Sequence, residues 1–486
     1  MKKPNILWIC TDQQRFDTLG CYGNRYVRTP NLDRLAKQGV LFEQAYCQSP
    51  VCTPSRASFL TGRYPRTTRC RMNGQAIPGD EKLVSKLLAE DGYTCGLSGK
   101  LHLSATHPSV SPVTERRIDD GFAEFHWSHH PDPGWPTDEY HHWLRGKGKK
   151  YEVTPLKGSK YVVVGMDPEY SHTKWCAERA IRFIEVHEDI KNKKFKRPWM
   201  FLVDFFDPHP PFDPPKTYLD RYLEEPGEIP LPAYAPGELV DKPHYQQHRH
   251  ASEKGKFAYA EMTKRDHRLV RAAYWAMVDG IDVEVGRILE ALKRTGQRED
   301  TLVIFMSDHG ELLGDHGMYL KGPFFYDASV RVPLIASMPG TITGGGRIST
   351  FMELVDLAPT LLEAAGLPKH AGMQGRSIWK RLRDDHSDDT DRQNIYSEHY
   401  DASIKKKDPK GGAQATMVRT REHKLVKFHG EGEEVGELYD LIQDPLEHEN
   451  RWADPGYRAI KSDLLLQLCD RMAETVDPLP PRTARW

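Results

Sequence analysis

The chain of 486 residues carries 68 lysines and arginines against 69 aspartates and glutamates, a formal net charge of −1 spread without long blocks of one sign. That balance excludes a basic nucleic-acid binder and an acidic tail. With 38 % hydrophobic residues, 10 Trp, 21 Tyr and 17 Phe, the chain has enough apolar material for a large core, and disorder as a whole is excluded.

The first ten residues offer only about six apolar side chains before Asp12, too few for a signal-peptide core or a membrane span. As written, the chain reads as a cytoplasmic protein with no membrane segment; removal of a leader would make it periplasmic or secreted. Eight cysteines (10, 21, 47, 52, 70, 95, 176 and 469) are scattered without CxxC pairs, a pattern of reduced thiols rather than of a disulfide framework.

In chain order, the apolar run 5–10 precedes Asp12 and reads as a buried parallel strand. At 49–63 the sequence Ser-Pro-Val-Cys52-Thr-Pro-Ser-Arg56-Ala-Ser-Phe-Leu-Thr-Gly-Arg predicts a helix with Thr53 as its cap and Pro54 at its first position. That leaves Cys52 at the positive helix end, where an anionic nucleophile is stabilised; a buried structural cysteine is the competing reading. Residues 106–160 are irregular and hold three Trp and five His between 126 and 143, a candidate for substrate selection or for packing over the sheet edge. The run 199–203 precedes Asp207 and His209. A Pro-, His- and charge-rich excursion spans 224–264; its His244, His248 and His250 read as solvent-exposed rather than as a metal site. Apolar residues at three- and four-residue spacing predict a helix over 269–294, stopped by Gly296, and the run 301–306 before Asp308 predicts another strand. Helices alternating with buried strands predict an α/β fold whose ligands gather at the carboxyl ends of the strands. Residues 1–375 form one expected unit. Residues 376–486 form a smaller one, with short strands at 394–397, 415–419 and 423–428, a turn at 440–445 and a final helix near 460–475. Arg419 and Arg421 there read as surface or structural residues.

Cys-x-Pro-Ser-Arg followed by Leu-Thr-Gly-Arg resembles the signature of type I sulfatases, in the alkaline phosphatase superfamily. The likeness extends along the chain through Thr11-Asp-Gln, Thr29-Pro-Asn-Leu-Asp-Arg-Leu, Gly92-Tyr-Thr-Cys-Gly-Leu-Ser-Gly-Lys100-Leu-His102, Asp207-Pro-His209, Ser307-Asp-His-Gly-Glu and Glu437-Leu-Tyr-Asp-Leu-Ile-Gln-Asp-Pro. The resemblance implies a large, mostly parallel mixed sheet sandwiched by helices, with a small C-terminal α+β subdomain. It also implies that a separate formylglycine-generating enzyme oxidises Cys52, and that the hydrated aldehyde is the nucleophile. Arg56 would orient and charge-stabilise it. Lys100 and Lys321 would contact the sulfate, His102 would help to regenerate the aldehyde, and His209 would protonate the leaving oxygen. Alternate positions in an extended segment would put Lys100 and His102 on one side. Asn73 is a further candidate for binding a sulfate oxygen, or a turn residue.

Asp12 and Asp308, each just past a strand, would repel each other without a cation between them, which is the logic of hard oxygen ligands. With Gln13, Cys52 and His309 they make the expected metal set. Calcium is favoured, with Mn2+, Mg2+ and Zn2+ as alternatives: Gln13, where many sulfatases have aspartate, removes a negative charge but keeps a carbonyl oxygen, and the His309 nitrogen, where asparagine is frequent, tilts the set toward manganese or zinc. The expected activity is hydrolysis of sulfate monoesters, foremost of a sulfated saccharide. Aryl or choline sulfates are alternatives, as is phosphonate monoester or phosphodiester hydrolysis, which the Gln13 and His309 departures resemble. A silent binder of sulfated ligands would require Cys52 to stay unoxidised. The sequence leaves the oligomeric state open.

Overall fold

The structure is a computed structural model that describes residues 3–132, 134–191, 197–224, 228–251, 257–383, 391–401, 413–432 and 435–481. Its centre is an eight-stranded sheet built from β1 (Asn5–Thr11), β2 (Val40–Phe42), β3 (Thr94–Gly99), β4 (Phe122–Trp127), β5 (Trp199–Phe205), β6 (Thr301–Ser307), β7 (Leu334–Ser337) and β8 (Gly346–Ile348). The strands lie in the order β8-β2-β7-β6-β1-β5-β3-β4, and β7 alone runs against its neighbours.

Both faces of this sheet are covered, which is why its strands read as apolar runs rather than as alternating ones. Along β1, Ile6, Trp8 and Cys10 enter one core while Leu7 and Ile9 enter the other. The first core includes Ala57, Phe59 and Leu60 of α1 (Cys52–Thr61). The second is packed by α2 (His172–Lys191) and by the 31-residue α3 (Lys264–Arg294). α3 starts earlier than its apolar spacing predicts, because Thr263 and Asp266 form a reciprocal capping box.

Register places the site. Thr11 pairs with Ser307 on one side and Phe205 on the other, so Asp12 and Asp308 emerge side by side from β1 and β6. The irregular stretch 106–160 holds β4, whose mixed composition hides it, and a helix at Glu139–Gly146. The excursion likewise contains a helix, His244–Ala251.

The C-terminal part is a four-stranded antiparallel sheet, β9 (Ile395–Tyr400), β10 (Gln414–Arg419), β11 (His423–Phe428) and β12 (Gly436–Asp440), backed by α4 (Arg458–Glu474). β12 is one strand more than the sequence suggests, since only the turn after it carries a strong signal. All eight cysteines are free, and among the described residues no helix is long and apolar enough to cross a membrane.

Candidate active site

α1 begins at Cys52, two residues earlier than expected, and Val51 rather than Thr53 is its cap. The Thr53 hydroxyl is buried without a partner. Its backbone N–H instead donates to Asn73 Oδ1 at 2.9 Å, so Asn73 supplies the capping oxygen from a distant loop. Cys52 is 1 % exposed, at the positive end of a helix buried along its whole length. Its Sγ lies 2.8 Å from Lys321 Nζ, 3.2 Å from His309 Nε2 and 3.7 Å from Asp12 Oδ1. Burial opposes ionisation of this thiol, but Lys100, Lys321 and His309 outweigh it and hold its pKa well below 9.0.

Arg56 sits one turn further along α1, fully buried. Its guanidinium donates from Nε to Asp308 Oδ2 at 3.0 Å, from Nη1 to Asp204 Oδ2 at 2.5 Å and from Nη2 to Asp12 Oδ2 at 3.1 Å. The fork thus binds three carboxylates together, and it reaches the nucleophile position through them. Asp204, within β5, is missing from the sequence expectations. Burial, with Asp308 and Asp12 nearby, raises its pKa to about 7 against the pull of Arg56, and its Oδ1 has no partner. Its signal was a lone acid inside the apolar run 199–206.

Gly99 ends β3 at φ 100°, and a Cβ there would stand 1.9 Å from the Asp204 carbonyl oxygen. This close approach delivers Lys100 to Asp12, whose Oδ2 accepts its ammonium. Lys100 and His102 do line one cavity with Cys52, although not by strand alternation. His102 adopts φ 55° in a left-handed turn. Glu115 holds that turn, accepting the His102 N–H at 2.9 Å, the Leu103 N–H at 3.3 Å and the Trp127 indole N–H at 3.2 Å. Burial and Lys100 push the His102 imidazole down to about 4, so it is neutral at neutral pH.

His209 lines the same cavity. Its Nδ1 is 2.6 Å from the Pro210 carbonyl oxygen, which can only accept, so the proton sits on Nδ1 and Nε2 is left to exchange protons. The cavity, of about 690 Å3, also takes in Asn73, His107, His129, His130 and Asp132. Next to it lies a second, of about 710 Å3, that shares Asp132, His209, Pro210 and Pro211 and adds Tyr161 and Phe257. The tryptophans of 126–143 line neither: Trp127 and Trp135 are core residues, and Trp143 packs on Tyr140. His250 binds the Gly317 carbonyl, and Arg419 stacks on Tyr46 and Phe351.

Residues 4–367 match the family model described as sulfatase. The chain belongs to the sulfatase family. Residues 314–474 of this sulfatase also match a model described as N-sulphoglucosamine sulphohydrolase, C-terminal. It is similar to the arylsulfatase of Clostridium perfringens (strain 13 / Type A), with 29 % identity over 92 % of this chain and 90 % of that protein. It is also similar to the N-acetylglucosamine-6-O-sulfatase of Bacteroides thetaiotaomicron, with 27 % identity over 96 % and 86 %. Among solved structures it resembles the phosphonate monoester hydrolase of Agrobacterium radiobacter, with a TM-score of 0.84 and 27 % identity over 98 % of this chain and 96 % of that one.

The sulfatase family implies a metal and a formylglycine in general, and the donor set of this sulfatase fits a metal. Ligand atoms of Asp12, Cys52, Asp308 and His309 lie within 4.8 Å of one another, all buried. Gln13 donates its amide N–H to Glu311, and its Oε1 is left a buried oxygen with no partner. The His309 Nδ1 is 2.8 Å from the Gly310 carbonyl oxygen, which leaves Nε2 as the ligand atom. Two carboxylates, an amide oxygen and an imidazole are a set that a divalent cation satisfies.

Proposed function

We propose that this sulfatase is a formylglycine-dependent hydrolase of sulfate monoesters on a saccharide, using a nucleophile made from Cys52 and one divalent ion, calcium by preference. The observation that carries the reading is the convergence of Lys321, His309 and Asp12 on the Cys52 sulfur at a helix N-terminus, beside a cavity that Cys52, Lys100, His102 and His209 line. Oxidised by a formylglycine-generating enzyme, Cys52 would supply a hydrated aldehyde that can attack sulfur and later release sulfate. The ion, held by Asp12, Gln13, Asp308 and His309, would supply positive charge beside the nucleophile and a sulfate oxygen.

The remaining roles belong to the chain's own side chains. Arg56 keeps Asp12 and Asp308 charged and aimed. Lys100 and Lys321 neutralise sulfate oxygens as charge moves toward the leaving group, a contribution larger in the transition state than in the ground state. His209 gains a proton at Nε2 and passes it to the leaving oxygen, and His102, neutral, accepts a proton at the nucleophile. A saccharide suits the paired cavities, whose linings mix imidazoles and Asp132 with Tyr161 and Phe257. The N-acetylglucosamine-6-O-sulfatase among the relatives supports the same class. In this reading residues 1–375 are the catalytic unit and 376–486 a smaller unit anchored on it, with Arg471 and Arg392 bound to Glu353.

A second reading, phosphonate monoester or phosphodiester hydrolysis, is favoured by the likeness to the Agrobacterium enzyme and by Gln13 and His309. The experiment compares kcat/KM on an aryl sulfate, a matched aryl phosphonate and a phosphodiester, using protein co-produced with the formylglycine-generating enzyme and supplied with calcium or manganese. Preference for sulfate supports the first reading, and preference for phosphonate or diester replaces it with the second.

A further inference from the structure

Away from the Cys52 cavity, Glu238, His316 and His448 converge from three distant parts of the chain, with ligand atoms within 4.8 Å of one another. Both imidazoles turn Nδ1 toward the same carboxylate: His316 lies 3.0 Å from Glu238 Oε1, and His448 meets Oε2. The Glu238 and His316 side chains are 2 % and 5 % exposed, while that of His448 is 22 % exposed, so the cluster is closed on the protein side and reached by water on the other. His316 is firmly held. Its ring stacks on Tyr326 with centroids 3.6 Å apart, its backbone N–H donates to the Ala233 carbonyl at 2.8 Å, and its backbone sits at φ 55°. A non-glycine residue stays in that region only where its surroundings over-determine it, as they often do at ligand clamps.

We propose that Glu238, His316 and His448 form a second metal site, distinct from the Cys52 cluster, that takes Zn2+ or a similar transition ion. Two imidazoles and one carboxylate select such ions over calcium, and three protein ligands plus water complete a tetrahedral shell. On binding, each ring would offer its Nδ1 lone pair to the ion and keep its N–H on Nε2. Glu238 also accepts from the Ala235 N–H at 2.9 Å, which helps to aim it. The opposing charge is Lys242, 3.6 Å from Glu238 Oε1; it also donates to the Glu447 carbonyl at 3.0 Å and keeps that partner when the metal is bound. The ion would clip the segment that leads from His316 to Lys321 onto the C-terminal part of the chain.

The test uses full-length protein stripped with a chelator, titrated with ZnCl2 by calorimetry, and assayed for retained zinc by mass spectrometry after desalting. Wild type should retain one equivalent more than His448→Ala or Glu238→Gln, and Asp308→Asn, which disrupts the Cys52 cluster, should keep that equivalent. Zinc should raise the Tm of Asp308→Asn but not that of a double variant that also carries His448→Ala. Should His448→Ala fail to fold, Glu238→Gln, which keeps the side-chain volume, decides alone. Wild-type retention by the folded His448 or Glu238 variants would overturn the proposal, as would a wild-type protein that holds only the equivalent lost in Asp308→Asn.

Discussion

Replacing Lys321 by alanine separates catalysis from architecture at this site. The Lys321 ammonium stands 2.8 Å from the Cys52 sulfur and 4.0 Å from Asp12 Oδ1, while its side chain is 16 % exposed. Asp12 keeps Lys100 and Arg56 when Lys321 is removed, so no buried carboxylate is orphaned and the loss of stability should stay within about 1 kcal/mol. A preorganised charge aimed at the reacting group is worth about 100- to 1,000-fold in kcat, or roughly 3–4 kcal/mol of transition-state stabilisation. The assay is steady-state hydrolysis of an aryl sulfate by wild type and Lys321→Ala, matched for aldehyde content, with thermal unfolding measured in parallel. A kcat within threefold of wild type would refute the placement of Lys321 against the reacting group. A large drop in Tm would mean that the residue holds the fold instead.

His209→Ala should slow sugar or alkyl sulfates far more than activated aryl sulfates, because only poor leaving groups need its proton; equal losses on both would remove its acid role. Burial and Lys321 lower the His209 pKa below 6.5, so kcat/KM on poor leaving groups should fall as pH rises through that lowered value, a limb that the alanine variant should lack. Gln13→Leu deletes the buried, unpartnered amide oxygen of the proposed metal ligand Gln13, and calorimetric titration should show affinity for the ion weakened by about tenfold or more. His172 is buried with Nε2 unpartnered and its pKa is pushed down to about 3. Its folded value lies below its ordinary one of 6.5, so stability is full above pH 6.5 and is lost as pH falls. Urea unfolding at pH 7 and pH 5 should therefore show wild type losing about 2 kcal/mol relative to His172→Gln; an unchanged difference would contradict that burial.

The site was readable where chemistry follows a strand end. Asp12 and Asp308 each terminate an apolar run, and the register of β1 against β6 does the rest. Cys52, Lys100, His102, His209 and Lys321 carried family motifs, and the structure gathers them around one cavity and its metal cluster. Asp204 was hidden because it lies inside a strand rather than beyond it. Glu115 was hidden because its partners are mostly backbone N–H groups, which leave no pattern in side-chain identity. The Thr53 cap failed because Asn73, about twenty residues on, supplies the oxygen. Trp127 and Trp135 went to the core, Trp143 packs against it, and only some of the histidines reach the cavity, a partition that depends on which side of β4 and its loops faces the sheet.

Turnover in the proposed mechanism depends on a nucleophile made from Cys52. Protein prepared with graded amounts of formylglycine-generating enzyme can be assayed for aryl sulfate turnover, and mass analysis of the Cys52 peptide gives the fraction of aldehyde in each sample. Activity should be proportional to that fraction and extrapolate to zero, with Cys52→Ala folded and inactive. Substantial turnover by unconverted protein or by the alanine variant would contradict that mechanism.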